Sequence, residues 1–244
     1  MPHRVLGLDA YTLRARIAPA LLVVLPAGLA LAAWFPIEAQ LQGALVSLGG
    51  VLALTALVAQ LARDRGRRMQ PDLFQKWGGA PSELLLSFRY STLSHPTIVR
   101  YHERLREVLP ALNIPRTQEE EDRDPTAAMA VYESCRHFLL EHTRQDPLVQ
   151  EENRNFGYRR NLYAMKSFGV ITSLAGVLAT GGSLWHHAGT TGTVHVPAVI
   201  YGLIALLLFV VWVFWIKEGW IRTAADAYAL RLLAACETLT RKPA

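Results

Sequence analysis

Fifty consecutive residues, Ser167 to Ile216, contain no Asp, Glu, Lys or Arg. Within them the runs Phe168 to Trp185 and Pro197 to Ile216 each approach the roughly 20 apolar residues that carry a helix across a ~30 Å hydrocarbon layer. The stretch predicts two membrane spans, at about 167–185 and 197–216, joined by a short turn from His186 to Val196. A hydrophobic content of 51% points the same way.

The N-terminal part has the same character. After a tail carrying Arg4, Arg14 and Arg16, Ile17 to Phe35 runs without a charge. That run is longer than the roughly 7–15 residues of a signal-peptide core, and Trp34 and Phe35 stand where cleavage needs small residues. It reads as a retained span, with Pro19 in its first turn and Pro26 kinking it or leaving a carbonyl for a neighbour to satisfy. A second uncharged run, Ala39 to Ala62, follows a turn on Pro36 and Glu38. Residues 1–62 are thus a tail and a hairpin, with spans at about 17–35 and 41–62. Gly43, Ser47, Gly49 and Gly50 in the second span, and Gly169, Ala175, Gly176, Ala179, Gly181 and Gly182 in the third, would let helices approach closely. The fourth span is bulky, with Phe209, Trp212, Phe214 and Trp215, and is expected to face lipid or a partner chain.

The basic residues give the orientation. Three lie in the N-terminal tail, seventeen in 63–166 and five from Lys217 onward, which accounts for all 25. Lys and Arg are retained on the cytoplasmic side, so the rule places the termini and the central segment there, and both short loops outside. The formal net charge of +5 is therefore distributed as membrane collars, and no nucleic-acid partner is expected. Two cysteines, Cys135 and Cys236, fall in cytoplasmic segments and are expected as reduced thiols.

The central segment, 63–166, reads as a helical bundle. Arg63, Arg65, Arg67 and Arg68 leave the second span as a basic collar, and Lys76 and Trp77 follow before Gly78 and Gly79. With Arg159 and Arg160, one turn before the third span, they are the candidate contacts to the membrane interface or to anionic lipid headgroups. Pro81 and His95 with Pro96 open helices, the second with Ile98, Tyr101, Leu105, Val108 and Leu112 along one face. Asp124 and Asp146, each before a proline, are helix caps. The acidic run Glu119 to Asp124 is expected as a solvated loop. Gly157 is a candidate hinge between the bundle and the third span. In the C-terminal segment, 217–244, Ile221, Ala225, Tyr228, Leu232, Ala235 and Leu239 recur at four and three residues, the narrow stripe of a helix packing on the bundle or on a second subunit.

Lys76, Trp77, Gly78 and Gly79, then Arg100, Tyr101 and His102, then Glu152, Asn153, Phe156, Gly157, Tyr158, Arg159, Arg160, Asn161 and Leu162 resemble a family of uncharacterised bacterial four-span membrane proteins. That family's last element usually reads Tyr, Gly, Phe, Arg, Arg, Asn, so the aromatics are exchanged here at Phe156 and Tyr158. The resemblance covers roughly a third of the chain and implies the four-span layout with a cytoplasmic helical domain, and no catalytic residue.

No pattern asks for a cofactor or a metal. Cys135, His137 and His142 share a predicted helix, Cys135 and His142 one face of it, but a structural zinc site wants a second ligand pair. His186, His187 and His195 fall in the external turn. No span carries a midplane charge of the kind ion-coupled transporters keep. Three function classes follow. The first is an inner-membrane, non-enzymatic scaffold, sensor or accessory subunit whose cytoplasmic domain and C-terminal helix bind a protein partner or a second copy. The second is a pore-forming effector triggered from the cytoplasm, as in a bacterial defence system. The third is an inner-leaflet enzyme using His102 or His142.

Overall fold

The structure, a computed structural model, describes residues 17–35 and 41–239, without the side chains of 41–48. The N-terminal tail, the turn on Pro36 and Glu38, the side chain of Ser47, the packing of Gly43 and the last five residues lie outside the described residues. The described chain is all-helical. Its helices are α1 (Ala18–Trp34), α2 (Leu41–Lys76), α3 (Pro81–Leu86), α4 (His95–Val108), α5 (Gln118–Arg123), α6 (Pro125–His142), α7 (Pro147–Ala164), α8 (Lys166–Thr191), α9 (Val196–Val210) and α10 (Glu218–Ala234). A π-helical turn, Val211–Trp215, follows α9, and a 3₁₀ turn, Ala235–Thr238, follows α10.

The chain divides into two compact units, residues 1–69 with 157–221, and residues 70–156 with 222–244. In the first, α8 packs on α9 and α1, around Val23, Ala62, Leu162, Met165, Trp212 and Ile216. Helix α8 and the segment Val196–Trp215 are long and apolar enough to cross a membrane; α1 is apolar but shorter. Only 28% and 17% of the most apolar windows of those two segments are buried within the chain, so neither resembles the core helix of a soluble protein.

What α8 buries explains why. Gly169, Ser173, Gly176, Thr180 and Ser183 are its buried residues, at steps of four, three, four and three, a single stripe of small side chains. Phe168, Ile171, Leu174, Leu178 and Trp185 are exposed instead. Gly169 is occupied by Trp212: a Cβ there would lie 2.1 Å from the indole. At Gly176 a Cβ would lie 3.1 Å from Pro26 and 3.2 Å from Ala205, so this glycine admits both α1 and α9. The hydroxyls inside do not stay free. Ser173 donates to the Gly169 carbonyl at 2.7 Å, Thr180 to Gly176 at 2.8 Å, and Ser183 reaches Ala33 on α1 at 2.8 Å.

Several sequence expectations change here. Trp212, expected on a lipid-facing surface, is 1% exposed and is the knob that fills the Gly169 hole. Among the described residues, Gly49, Gly50 and Gly181 meet nothing within 4 Å, because their faces of α2 and α8 are not the ones that pack. The turn expected from His186 to Val196 is shorter: α8 continues through His186 and His187 to Thr191, where Gly192 takes the left-handed conformation that ends it (φ +67°). His187 and His195 then stack 4.4 Å apart. Helix α2 likewise runs through the basic collar to Lys76, and ends because Gly78 and Gly79 take φ +84° and +146°, the Gly79 N–H closing on the Phe74 carbonyl at 2.8 Å.

The second unit has its own core, with Leu86, Leu105, Tyr132, Cys135, Leu139 and Leu232 at its centre. Proline at the first helical positions and side-chain caps start its helices: Asp124 accepts from the Ala127 N–H at 2.9 Å, and Asp146 from Leu148 at 2.8 Å. In the C-terminal segment, Leu232 and Ala235 sit in that core with Leu233 and Cys236, and Tyr228 and Leu239 pack against it, so the chain's own bundle takes the expected stripe from Tyr228 to Leu239. Arg104 donates to the Leu239 carbonyl, and Arg100 meets Glu237 at 2.7 Å.

Candidate functional site

The basic collar on α2 forms one end of a cleft. Leu54, Val58 and Leu61 line it, followed on the same helix by Asp64, Arg65 and Arg68. Positions 54, 58, 61, 65 and 68 step by four and three, so an apolar stripe turns into arginine without changing face. The opposite walls come from α1, with Val23 and Ala27, and from α8, with Phe168 and Thr172. The cleft measures about 540 Å³. Beside it α1 packs on α8 and α9, while Gly49 and Gly50 of α2 meet nothing within 4 Å among the described residues. Arg65 lies over the Phe168 ring, 5.4 Å from its centroid. Neither Arg65 nor Arg68 has a carboxylate partner among the described residues.

The other candidate interface residues are used differently. Arg63 is half-buried and Arg67 exposed. Arg159 donates to the Trp220 carbonyl at 2.9 Å and lies 4.9 Å from the centroid of the Trp220 ring. Arg160 donates to Asn161 Oδ1 at 3.2 Å. Asn161 faces Gly66, where a Cβ would lie 2.5 Å from the amide oxygen, so α2 and α7 cross in close contact there. Lys76 and Trp77 belong to the second unit, where Arg222 lies over the Trp77 ring at 5.0 Å. Gly157 is buried inside the uninterrupted α7. The first unit resumes at this residue, while the backbone departs from helix later, at Met165 (φ −97°, ψ 5°).

One residue that sequence reasoning passed over is Lys166. It donates to the Ile216 carbonyl at 2.8 Å and to Val213 at 3.3 Å, where the π-helical turn leaves oxygens unused by the ladder. A cation at a helix C-terminus also meets its negative dipole end.

The acidic run is not a solvated loop. Part of it forms α5, and Glu121 is 3% exposed. Its carboxylate accepts from Ser87, from the Phe88 N–H at 2.8 Å and from the Tyr132 hydroxyl at 2.9 Å. Three donors in place are what allow a charge to sit there. Burial pushes the Tyr132 hydroxyl pKa up, and the adjacent Glu121 charge adds to it.

His102 is in the same core, 0% exposed. Its Nδ1 lies 2.9 Å from the Pro115 carbonyl and its Nε2 2.8 Å from that of Leu86. Burial pushes its pKa below the ordinary value, outweighing the two carbonyls that favour the charged ring. Both nitrogens are occupied, so neither is left to activate a thiol. Cys135 and Cys236 are free and buried, and burial pushes both thiols up to about 12. His142 follows Cys135 by seven residues on the same face of α6, but it stands exposed at the helix end, its ring stacked on Phe138 at 4.0 Å, while Cys135 is buried. Among the described residues no group of three His, Cys, Asp or Glu side chains is placed to hold a metal ion.

No protein-family model, curated protein or solved structure matches the chain.

Proposed function

We propose that the chain is a four-span protein of the bacterial inner membrane, with both termini and the 63–166 segment cytoplasmic, working without catalysis as a membrane-anchored scaffold, sensor or accessory subunit. The observation that carries this reading is the inverted burial of α8, small and hydroxyl side chains inside and Phe168, Ile171, Leu178 and Trp185 outside. In water that arrangement exposes the wrong residues; in lipid, where helices associate through small side chains, it is the favoured one. Of the exposed large apolar side chains, all but Tyr90, Leu148 and Leu230 lie in the first unit. The second unit, with a closed core of its own, is the part suited to a protein partner. Positive-inside orientation and the resemblance to four-span proteins support the layout; α1 and the apolar half of α2 are its first two spans. Gly157, where the contact units change along α7, is the proposed joint that passes a change between them.

Fractionation with a carbonate wash, together with a cytoplasm-dependent reporter inserted near residue 120, tests this. Retention in the membrane with an active reporter is expected. A protein recovered in the soluble fraction, or a reporter active only outside, would overturn it.

The second reading is a pore-forming effector, favoured by Gly49 and Gly50, which among the described residues have nothing within 4 Å on α2 and offer a close approach to another copy. A voltage-sensitive dye after induced expression separates the two, since only the effector depolarises cells.

A further inference from the structure

We propose that the cleft walled by α1, α2 and α8 holds one anionic phospholipid of the cytoplasmic leaflet, its acyl chain along Val23, Ala27, Leu54 and Val58 and its phosphate at Arg65 and Arg68. This rests on the membrane reading above. From Leu54 to Arg68 the cleft follows α2 for about 21 Å at ~1.5 Å per residue. Half of a ~40–45 Å bilayer, headgroups included, is nearly the same height. The match in polarity is as close: along α2 the lining is apolar until Leu61 and charged from Asp64 onward. A protein side chain lying in the cleft would not need two arginines at one end; a lipid needs them there only.

The headgroup follows from the charges. Arg63, Arg65, Arg67 and Arg68 outnumber Asp64 at this end of α2, and guanidinium groups bind phosphate through paired N–H donors. Arg65, resting on Phe168, is held at the mouth rather than free in solvent. Asp64 lines the same end and is an acceptor for headgroup hydroxyls. A phosphodiester carrying a polyol, as in phosphatidylglycerol, suits both groups better than a choline headgroup.

The test uses the full chain purified in detergent, titrated with phosphatidylglycerol, phosphatidylethanolamine and phosphatidylcholine, with bound lipid counted by native mass spectrometry. One phosphatidylglycerol per chain is expected to persist at detergent concentrations that strip the other two. R65Q/R68Q lowers its affinity roughly thirtyfold, about fivefold for each basic residue near an anionic headgroup. A27F fills the apolar part without touching a charge and removes the bound lipid as well, with the helical circular dichroism of both variants unchanged. Equal retention of all three lipids, or a double-arginine variant that still holds phosphatidylglycerol, overturns the proposal while leaving the membrane reading intact. A chain that stays soluble without detergent overturns both. If A27F fails to fold, the arginine pair and the lipid comparison still decide.

Discussion

Replacing Glu121 by Ala should unfold the second unit well before the first. The carboxylate satisfies three buried or half-buried donors, on Ser87, Phe88 and Tyr132, and each orphaned donor costs about 1–3 kcal/mol. Removing a buried charge also relieves its desolvation cost, but with three donors in place that cost is already largely offset, so the orphaned groups dominate. A net loss of at least about 3 kcal/mol is expected, a large part of the ~5–15 kcal/mol that a folded domain commands. E121Q is milder, about 1–2 kcal/mol, because its amide oxygen keeps Phe88 and Tyr132 and only the Ser87 hydroxyl, whose oxygen already accepts from the Arg89 and Tyr90 N–H groups, loses its acceptor. Y132F, which removes one donor to a charged acceptor, falls between them, at about 1.5–3 kcal/mol. The chain supplies its own reporter: both cysteines are buried in this unit, so a thiol-reactive fluorogenic dye added to the full chain in detergent signals its opening on heating. At about 4 °C or more per kcal/mol, E121A should melt more than about 10 °C below the wild type. An E121A variant melting within about 2 °C of it, or E121Q melting as low as E121A, would refute the account of Glu121 as a satisfied buried charge.

Three further outcomes follow from the same geometry. G169A places a methyl group 2.1 Å from the Trp212 indole and should cost about 1–3 kcal/mol of overpacking, seen as earlier aggregation in heated size-exclusion runs; G169A/W212L should regain part of it, and no interaction between the two changes would refute the knob-and-hole packing. His102 has a pKa lowered on folding, so the unfolded chain binds more protons, and second-unit stability should be full above the unfolded value of ~6.5 and fall as the pH drops below it. A melting temperature that instead falls as the pH rises through ~6.5 would mean that the two carbonyls keep a proton on both nitrogens. Thiols pushed up to about 12 should leave the native chain nearly inert to iodoacetamide at pH 8 and take up two labels only in denaturant; prompt native labelling would contradict their burial.

The helical class and the places where helices start were legible in the residues because they depend on local chemistry: Asp124 and Asp146 before prolines, and Gly78 and Gly79 at a helix end, act on the nearest backbone groups. Faces were harder. Counting small residues in α8 selected Gly181 and Ala175, and passed over Ser173, Thr180 and Ser183, because mean hydropathy along a helix carries no angle. Read at steps of four and three, Gly169, Ser173, Gly176, Thr180 and Ser183 form one line. The same step applied to α2 gives Leu54, Val58, Leu61, Arg65 and Arg68, so the cleft's change from apolar to basic was present in the residues once a face was followed rather than a window averaged.

Glu121 was illegible for a different reason. Glu119, Glu120, Glu121, Asp122 and Asp124 look alike in sequence, and only tertiary contacts, from Ser87 and Phe88 more than thirty residues away, distinguish the one that turns inward. Those donors lie just past α3: the Ser87 hydroxyl, on a residue whose own N–H still closes on the Glu83 carbonyl, and the Phe88 N–H, beyond the helix. Buried polar groups of this kind are paired across the chain, and the pairing is a property of the fold rather than of either segment.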